Sequence, residues 1–403
     1  MPFYHRLGAF PPKRHTQFRQ PDGALYHEEL VGTLGFSGVS SLLYHKFPPT
    51  RVSKLGTPTP YGPVKTDVPL QPAHLRPFLG ESTGDDYLDA RRWLLINNDC
   101  RLAICLPRQR RMDYYYKNAL HDEVIFVHDG AGTLITPLGT IAVRPGDYVV
   151  IPRTIIHRWE WADGPVRLLI IESAHPVETP RRYRNHFGQL LEHSPFCERD
   201  FRAPETLVQE VSDSGEPREW VVKIQKEGYL HHYHYDFSPL DVVGWDGYFF
   251  PYAFSIHDFE PITGRVHQPP PVHQTFETAA FVICSFVPRL FDYHPLAIPA
   301  PYNHSNVDSD EVLYYVEGDF MSRKGIFRAS FTIHPSGLPH GPHPGTYEGS
   351  IGKKETHELA VMVDTFKPLY LTAAGLELMD EQYVLSWNPA KVADPPNAAD
   401  MMD

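Results

Sequence analysis

The sequence predicts an all-β protein of two strand-rich barrels preceded by an N-terminal segment of strands and loops. Three observations predict it: an excess of proline, short apolar runs closed by Gly or Pro, and one strand motif that occurs twice. Of the 403 residues, 40 are proline. Proline breaks helix interiors and central strands, so this dosage favours short strands, turns and long loops. The length exceeds that of one ordinary domain, and 42% hydrophobic residues can fill a sizeable core.

Taken in order, residues 1–105 read as a wrapping segment, with a short apolar stretch over 35–45 and a loop-rich run over 48–72. A barrel is expected over 106–176. Its strands are the apolar run 123–127, which ends near Gly130 and Gly132, the β-branched run 133–136, the alternating run 139–143, and 148–151. Residues 177–218 are polar and read as a connector, with one helix near 187–193. A second barrel is expected over 219–390, with strands at 311–316, 330–334 and 359–363 and a turn at Glu317-Gly318. Residues 391–403, with Pro395 and Pro396, read as a loose tail. The repeat is visible in spacing. Glu123 stands seven residues before Gly130 and Glu311 seven before Gly318, and each barrel later offers a histidine, His157 or His340.

A formal net charge of −12 argues against a nucleic-acid partner, which would need a basic stripe. No apolar run reaches membrane length, and the first residues lack the apolar core of a signal peptide. Cys100, Cys105, Cys197 and Cys284 form no CxxC pair, so a reducing cytoplasm is the expected compartment. Against that lean thiol chemistry stand 23 histidines, and neutral imidazole is the commonest metal ligand.

The chemistry concentrates in residues 304–340. His304 stands seven residues before Glu311, which opens a strand, so a loop can fold the imidazole back beside the carboxylate. A third ligand must come from a strand distant in sequence, and the run from His334 to His343, with its Gly and Pro turns, supplies His340. Two imidazoles and one carboxylate on one face make the triad of non-haem iron(II) oxygenases, with coordination positions left for substrate and O₂. The first barrel keeps Glu123 and His157 but offers Lys117, Asn118 and Ala119 where a histidine would be needed, and His121 is too near Glu123. One metal per chain, in the second barrel, is therefore expected.

The run Gly146-Asp147-Tyr148-Val149-Val150-Ile151-Pro152, ending at His157, resembles the second sequence motif of cupins. Nearly the whole chain resembles the homogentisate 1,2-dioxygenase family in the shorter form found in some bacteria. The match runs through Ser41-Leu42-Leu43-Tyr44, Asp241-Val242-Val243-Gly244-Trp245-Asp246-Gly247, Tyr248-Phe249-Phe250-Pro251-Tyr252, Tyr302, His304, the Glu311 strand, and His334 to Pro342. It ends with Glu358-Leu359-Ala360-Val361-Met362. The resemblance implies a bicupin fold, one Fe²⁺ on His304, Glu311 and His340, and ring cleavage of homogentisate by O₂ to 4-maleylacetoacetate in tyrosine and phenylalanine breakdown. It further implies a homo-oligomer, trimer or hexamer. The acid/base histidine of the family falls best at His267, with His273 second; His334 is a histidine of or behind the pocket, and Tyr302 an aromatic wall.

The sequence departs from the family in two places. The family has one residue fewer between the first histidine and the glutamate, so Asp310 competes with Glu311 as ligand. A family tyrosine that helps hold substrate falls at Phe320, which offers no hydroxyl, so Arg265 or Arg289 would have to receive a substrate carboxylate. The ligand set alone also suits a gentisate- or hydroquinone-cleaving dioxygenase, a zinc or manganese cupin isomerase or decarboxylase, or a cupin that only stores or senses a small ligand.

Overall fold

A computed structural model of the chain describes residues 3–77, 82–210, 218–318, 320, 325–380 and 382–388. The tail expected over 391–403 lies outside these residues. The architecture is β throughout. Among the described residues the α-helices are Thr346–Ser350 and Ala373–Glu377, five residues each. Among the described residues, no helix is long and apolar enough to cross a membrane. The helix expected near 187–193 does not form. The Asn185 side chain accepts hydrogen bonds from the amides of Phe187 and Gln189 at 3.0 and 3.1 Å, and Gly188 adopts φ +89°, so turns take the backbone groups a helix would use.

Two compact units divide the chain: Met1–Val64, Ser82–Arg92 and Arg101–Asp258 form one, and Lys65–Glu81, Trp93–Cys100 and Phe259–Asp403 the other. The expected boundary at 218/219 is thereby corrected to 258/259. Residues 219–258 stay with the first unit because Trp220–Lys226 pairs in parallel with Tyr115–Asn118, and Tyr252–Ser255 pairs with Asp147–Ile151. Part of the expected wrapping segment belongs to the second unit, where Ala73–Leu75 forms a sheet edge. A polar connector marks a change in composition, whereas these pairings join strands far apart in sequence, which composition does not reveal.

In the first unit the strand Asp122–Asp129 lies between Asp147–Ile151 and Arg167–Ser173. Its Val124, Ile125, Phe126 and Val127 are fully buried, which is why the run is continuously apolar rather than alternating. A three-stranded sheet with Gly132–Thr136 between Gly139–Val143 and Arg158–Trp161 supplies the second layer. In the second unit a six-stranded sheet runs in the order Gln274–Glu277, Phe281–Phe286, Leu359–Thr365, Asp310–Glu317, Phe331–His334, Ala73–Leu75. Its central strand Asp310–Glu317 buries Val312, Tyr314, Tyr315 and Val316.

The repeat suggested by Glu-x₆-Gly holds at the level of the backbone. Each strand opens on an Asp-Glu pair, Asp122-Glu123 or Asp310-Glu311. Each carries a β-bulge at the same distance from its glutamate, between Val127 and Asp129 or between Tyr315 and Glu317. Each is followed by a left-handed glycine, Gly130 at φ +100° or Gly318 at φ +105°. A Cβ on Gly318 would stand 2.4 Å from the His357 carbonyl oxygen, so glycine is required there for space as well as conformation.

Candidate metal centre

In the second unit the backbones of His304 and His340 pair directly, each amide donating to the other's carbonyl at 2.9 Å. This bridge brings two residues 36 positions apart beside Glu311, at the start of its strand. Their rings lie 4.3 Å apart, and their Nε2 atoms stand 3.5 and 3.4 Å from the two oxygens of Glu311. Among the described residues, this is the group of three potential ligands whose donor atoms all fall within 4.8 Å of one another.

The donor set fits a cation. His304 Nδ1 lies 3.3 Å from the Tyr302 carbonyl and His340 Nδ1 3.1 Å from that of Leu338, contacts in which an N–H donates to the carbonyl. That assignment leaves the Nε2 lone pairs aimed at a carboxylate, an arrangement that only a positive charge between them makes favourable. The buried His340 Nε2 has no hydrogen-bond partner among the described residues.

His334 does not line the adjoining cavity. It is buried behind Glu311, with Nδ1 2.7 Å from the carboxylate and Nε2 3.1 Å from the Tyr383 hydroxyl. Its ring stacks on that of His340 at 4.3 Å and 10°. It therefore fixes the orientation of one candidate ligand by hydrogen bonding and of another by packing. Asp310, the rival to Glu311, points elsewhere. Its two oxygens accept from the backbone amides of Ser336 at 2.8 Å and Leu369 at 2.7 Å, tying its strand to two neighbouring segments. Adjacent strand residues face opposite sides, so only one of the pair can reach the histidines.

A cavity of about 430 Å³ is lined by His304 and Glu311 of the three donors, with His267, His273, Tyr302, Arg289, Phe320 and Asp364 among others, while His340 stands outside its lining. That volume falls within the ~300–1,000 Å³ range of small-molecule sites. The His267 ring packs edge-on against Tyr302 at 4.9 Å, and its Nδ1 stands 3.8 Å from Asp292. His273 is buried; burial, then the charges of Arg289 and His267, push its imidazole down to about 3. The Phe320 ring abuts Tyr315 at 4.5 Å, and the Tyr315 hydroxyl is engaged with Thr332 Oγ1 at 2.9 Å. Arg289 lies 3.4 Å from Glu358, whereas Arg265 is exposed and is not part of the lining.

The first unit repeats the frame with different chemistry. Asp122 accepts from the amides of Arg153 and Val177, both at 3.1 Å, as Asp310 does in the second unit. Tyr116 and His157 form the backbone bridge that His304 and His340 form there. The position for a histidine is thus Tyr116, and the expectation of Lys117, Asn118 or Ala119 is corrected by one residue or more. Its hydroxyl lies 3.0 Å from Glu123 Oε1. A guanidinium occupies the cationic place: Arg91 Nη1 stands 2.6 Å from Glu123 and 2.8 Å from Glu172, and its side chain is fully buried. Burial pushes Glu123 up, yet the charges of Arg91 and His157 hold it below the usual carboxylate range.

A family model described as "Homogentisate 1,2-dioxygenase N-terminal" matches residues 101–256. The "Putative dioxygenase SSO1533" of Saccharolobus solfataricus is 40% identical over 391 residues, 96% of this chain and 99% of that protein. The homogentisate 1,2-dioxygenase of Rhodopseudomonas palustris is 28% identical over 321 residues, covering 75% of this chain and 69% of its own. Among solved structures, a formate complex of Lactobacillus farciminis oxalate decarboxylase aligns over 76% of this chain and 89% of its own, at 12% identity and a TM-score of 0.35. The likeness to the dioxygenases extends through both units, and the chain belongs to the homogentisate 1,2-dioxygenase family.

Proposed function

We propose that the protein is an iron(II)-dependent dioxygenase that opens the ring of a 2,5-dihydroxyphenyl acid, with homogentisate and 4-maleylacetoacetate as substrate and product. The observation that carries this reading is the convergence of the His304, Glu311 and His340 donor atoms, the first two lining a cavity large enough for a substituted benzene. In that reading the three side chains would hold one Fe²⁺ per chain. A bound Fe²⁺ would supply Lewis acidity and a template for bringing the quinol and O₂ together. Both oxygen atoms enter the product as the ring bond between the side-chain carbon C1 and the neighbouring C2 breaks.

The chain's own groups bind and deprotonate the quinol. His267 is the base: its ring stands in the cavity lining beside Tyr302 and Asp292, whereas His273, buried and pushed down to about 3, is a poor proton acceptor. Asp292 beside His267 stabilises the imidazolium that results. Tyr302 presents a flat wall, and Arg289 is the cation of the cavity lining that can receive the acid side chain. His334 holds the Glu311 carboxylate in place through its Nδ1 contact.

Two substitutions probe these roles separately. His267→Ala is expected to lower turnover about 10²- to 10⁴-fold, the range for lost general-base catalysis, with iron content unchanged by metal analysis. Parallel loss of iron would assign His267 to metal retention instead. Phe320→Tyr restores a hydroxyl donor beside Tyr315 and is expected to tighten homogentisate about ten- to a hundred-fold relative to a neutral hydroquinone. Equal effects on the two ligands would remove Phe320 from side-chain recognition.

The reading as a whole is tested by loading the protein with Fe²⁺ under anaerobic conditions and adding O₂ with homogentisate, gentisate or substituted hydroquinones. Oxygen uptake with homogentisate, and a product carrying both atoms of ¹⁸O₂, is the expected result. Absence of uptake with every para-diphenol at full iron loading would overturn it in favour of a metal-dependent isomerase or decarboxylase.

A further inference from the structure

We infer that Asp364 is a second carboxylate of the metal centre, not a ligand, whose negative charge holds the cation in place beside Glu311. The inference rests on the three-ligand reading above and starts from strand register. In the antiparallel pairing of Leu359–Thr365 with Asp310–Glu317, Asp364 stands directly opposite Glu311. Directly opposed residues of an antiparallel pair project from the same face, with their Cβ atoms about 4.5–5.5 Å apart. Two carboxylates thus share one wall of the cavity, and both belong to its lining.

The first unit shows what such a pair requires. There Glu123 and Glu172 stand opposite each other in the same register. The guanidinium of Arg91 lies between them, at 2.6 and 2.8 Å. Glu172 corresponds to Asp364 and Glu123 to Glu311. In the second unit no arginine or lysine contact to Asp364 occurs among the described residues, and its Oδ1 is shut off from solvent without a hydrogen-bond donor. A divalent ion on His304, Glu311 and His340 supplies the positive charge in the second unit that Arg91 supplies in the first. Asp364 is not among the converging donors, so its contribution is electrostatic.

The test is the affinity of the apo-protein for Co²⁺, and for Fe²⁺ under anaerobic conditions, in competition with a chelator, together with the metal-induced rise in melting temperature. Asp364→Asn preserves shape and removes the charge. It is expected to weaken metal binding about ten- to a hundred-fold and to shrink the metal-induced rise, without lowering the melting temperature of the metal-free protein. Asp364→Glu, which keeps the charge, should recover most of the affinity. If the parent protein binds the ion and Asp364→Asn binds it equally well, this inference is overturned while the three-ligand site stands. If the parent itself binds neither metal, the three-ligand reading fails first. A fall in melting temperature of the metal-free Asn variant, with affinity unchanged, would assign Asp364 to structure alone.

Discussion

Glu311→Gln is expected to leave the protein folded but unable to retain iron, with affinity reduced by more than about 100-fold and turnover lost with it. Even the removal of groups that merely support a metal ligand commonly costs 10- to 100-fold in affinity, and this substitution removes the only anionic ligand of the proposed set. The neighbouring substitution should behave in the opposite way. Asp310 accepts hydrogen bonds from the Ser336 and Leu369 amides. Asn keeps one acceptor but turns a donor toward the other amide. Loss of one charged hydrogen bond costs roughly 1.5–3 kcal/mol. Asp310→Asn should therefore lower unfolding stability by about that amount and still load metal. Metal analysis and urea unfolding of both variants check the pair. Metal loss in Asp310→Asn with full loading of Glu311→Gln would reverse the assignment.

The second large effect is expected in the first unit. Arg91→Met removes the guanidinium from between Glu123 and Glu172, whose side chains are 1% and 0% exposed. Arg101, at 3.3 Å, still faces Glu172, but the hydrogen bonds Glu123 keeps among the described residues come from the neutral Tyr116 and Asn118, with His157 alone nearby to offset its charge. Breaking a buried pair by removing one partner costs about 3–5 kcal/mol, because the remaining charge stays desolvated. Urea unfolding should register a loss of that size. Adding Glu123→Gln should recover a substantial part of it, since the charge that needed a cation is then gone. A loss below about 1 kcal/mol would show that Arg91 is not what neutralises this pair.

Much of this was legible in the sequence because the decisive signals are local. Short β-branched runs closed by Gly and Pro gave the positions of the Glu123 and Glu311 strands to within two residues. The spacing of His304, Glu311 and Gly318 marked the candidate ligand strand. What escaped depends on pairing between distant segments. Residues 219–258 join the first unit through strands laid beside 115–118 and 147–151, which no local pattern announces. Tyr116 carries no sequence signal as the counterpart of His304, because a phenol is not the imidazole that a metal site requires, whereas the backbone bridge identifies the position whatever residue fills it. The Asp-Glu pair at the start of both strands was a readable signal of Asp310's role. A carboxylate repeated beside the candidate ligand in the barrel that lacks the histidine has a task common to both barrels, and that task is backbone anchoring. His334 could be placed near the site by sequence, but only the register opposite Glu311 puts it behind the carboxylate rather than in the cavity.

The central claim is that one iron ion is held by His304, Glu311 and His340, and anomalous scattering at the iron absorption edge from crystals grown after anaerobic Fe²⁺ loading tests it most directly. The predicted result is a single strong peak per chain, within bonding distance of the two Nε2 atoms and a Glu311 oxygen, with no peak beside Glu123 and His157, where Arg91 already stands. A peak in the first unit, or loaded protein with no peak between His304, Glu311 and His340, would contradict the account.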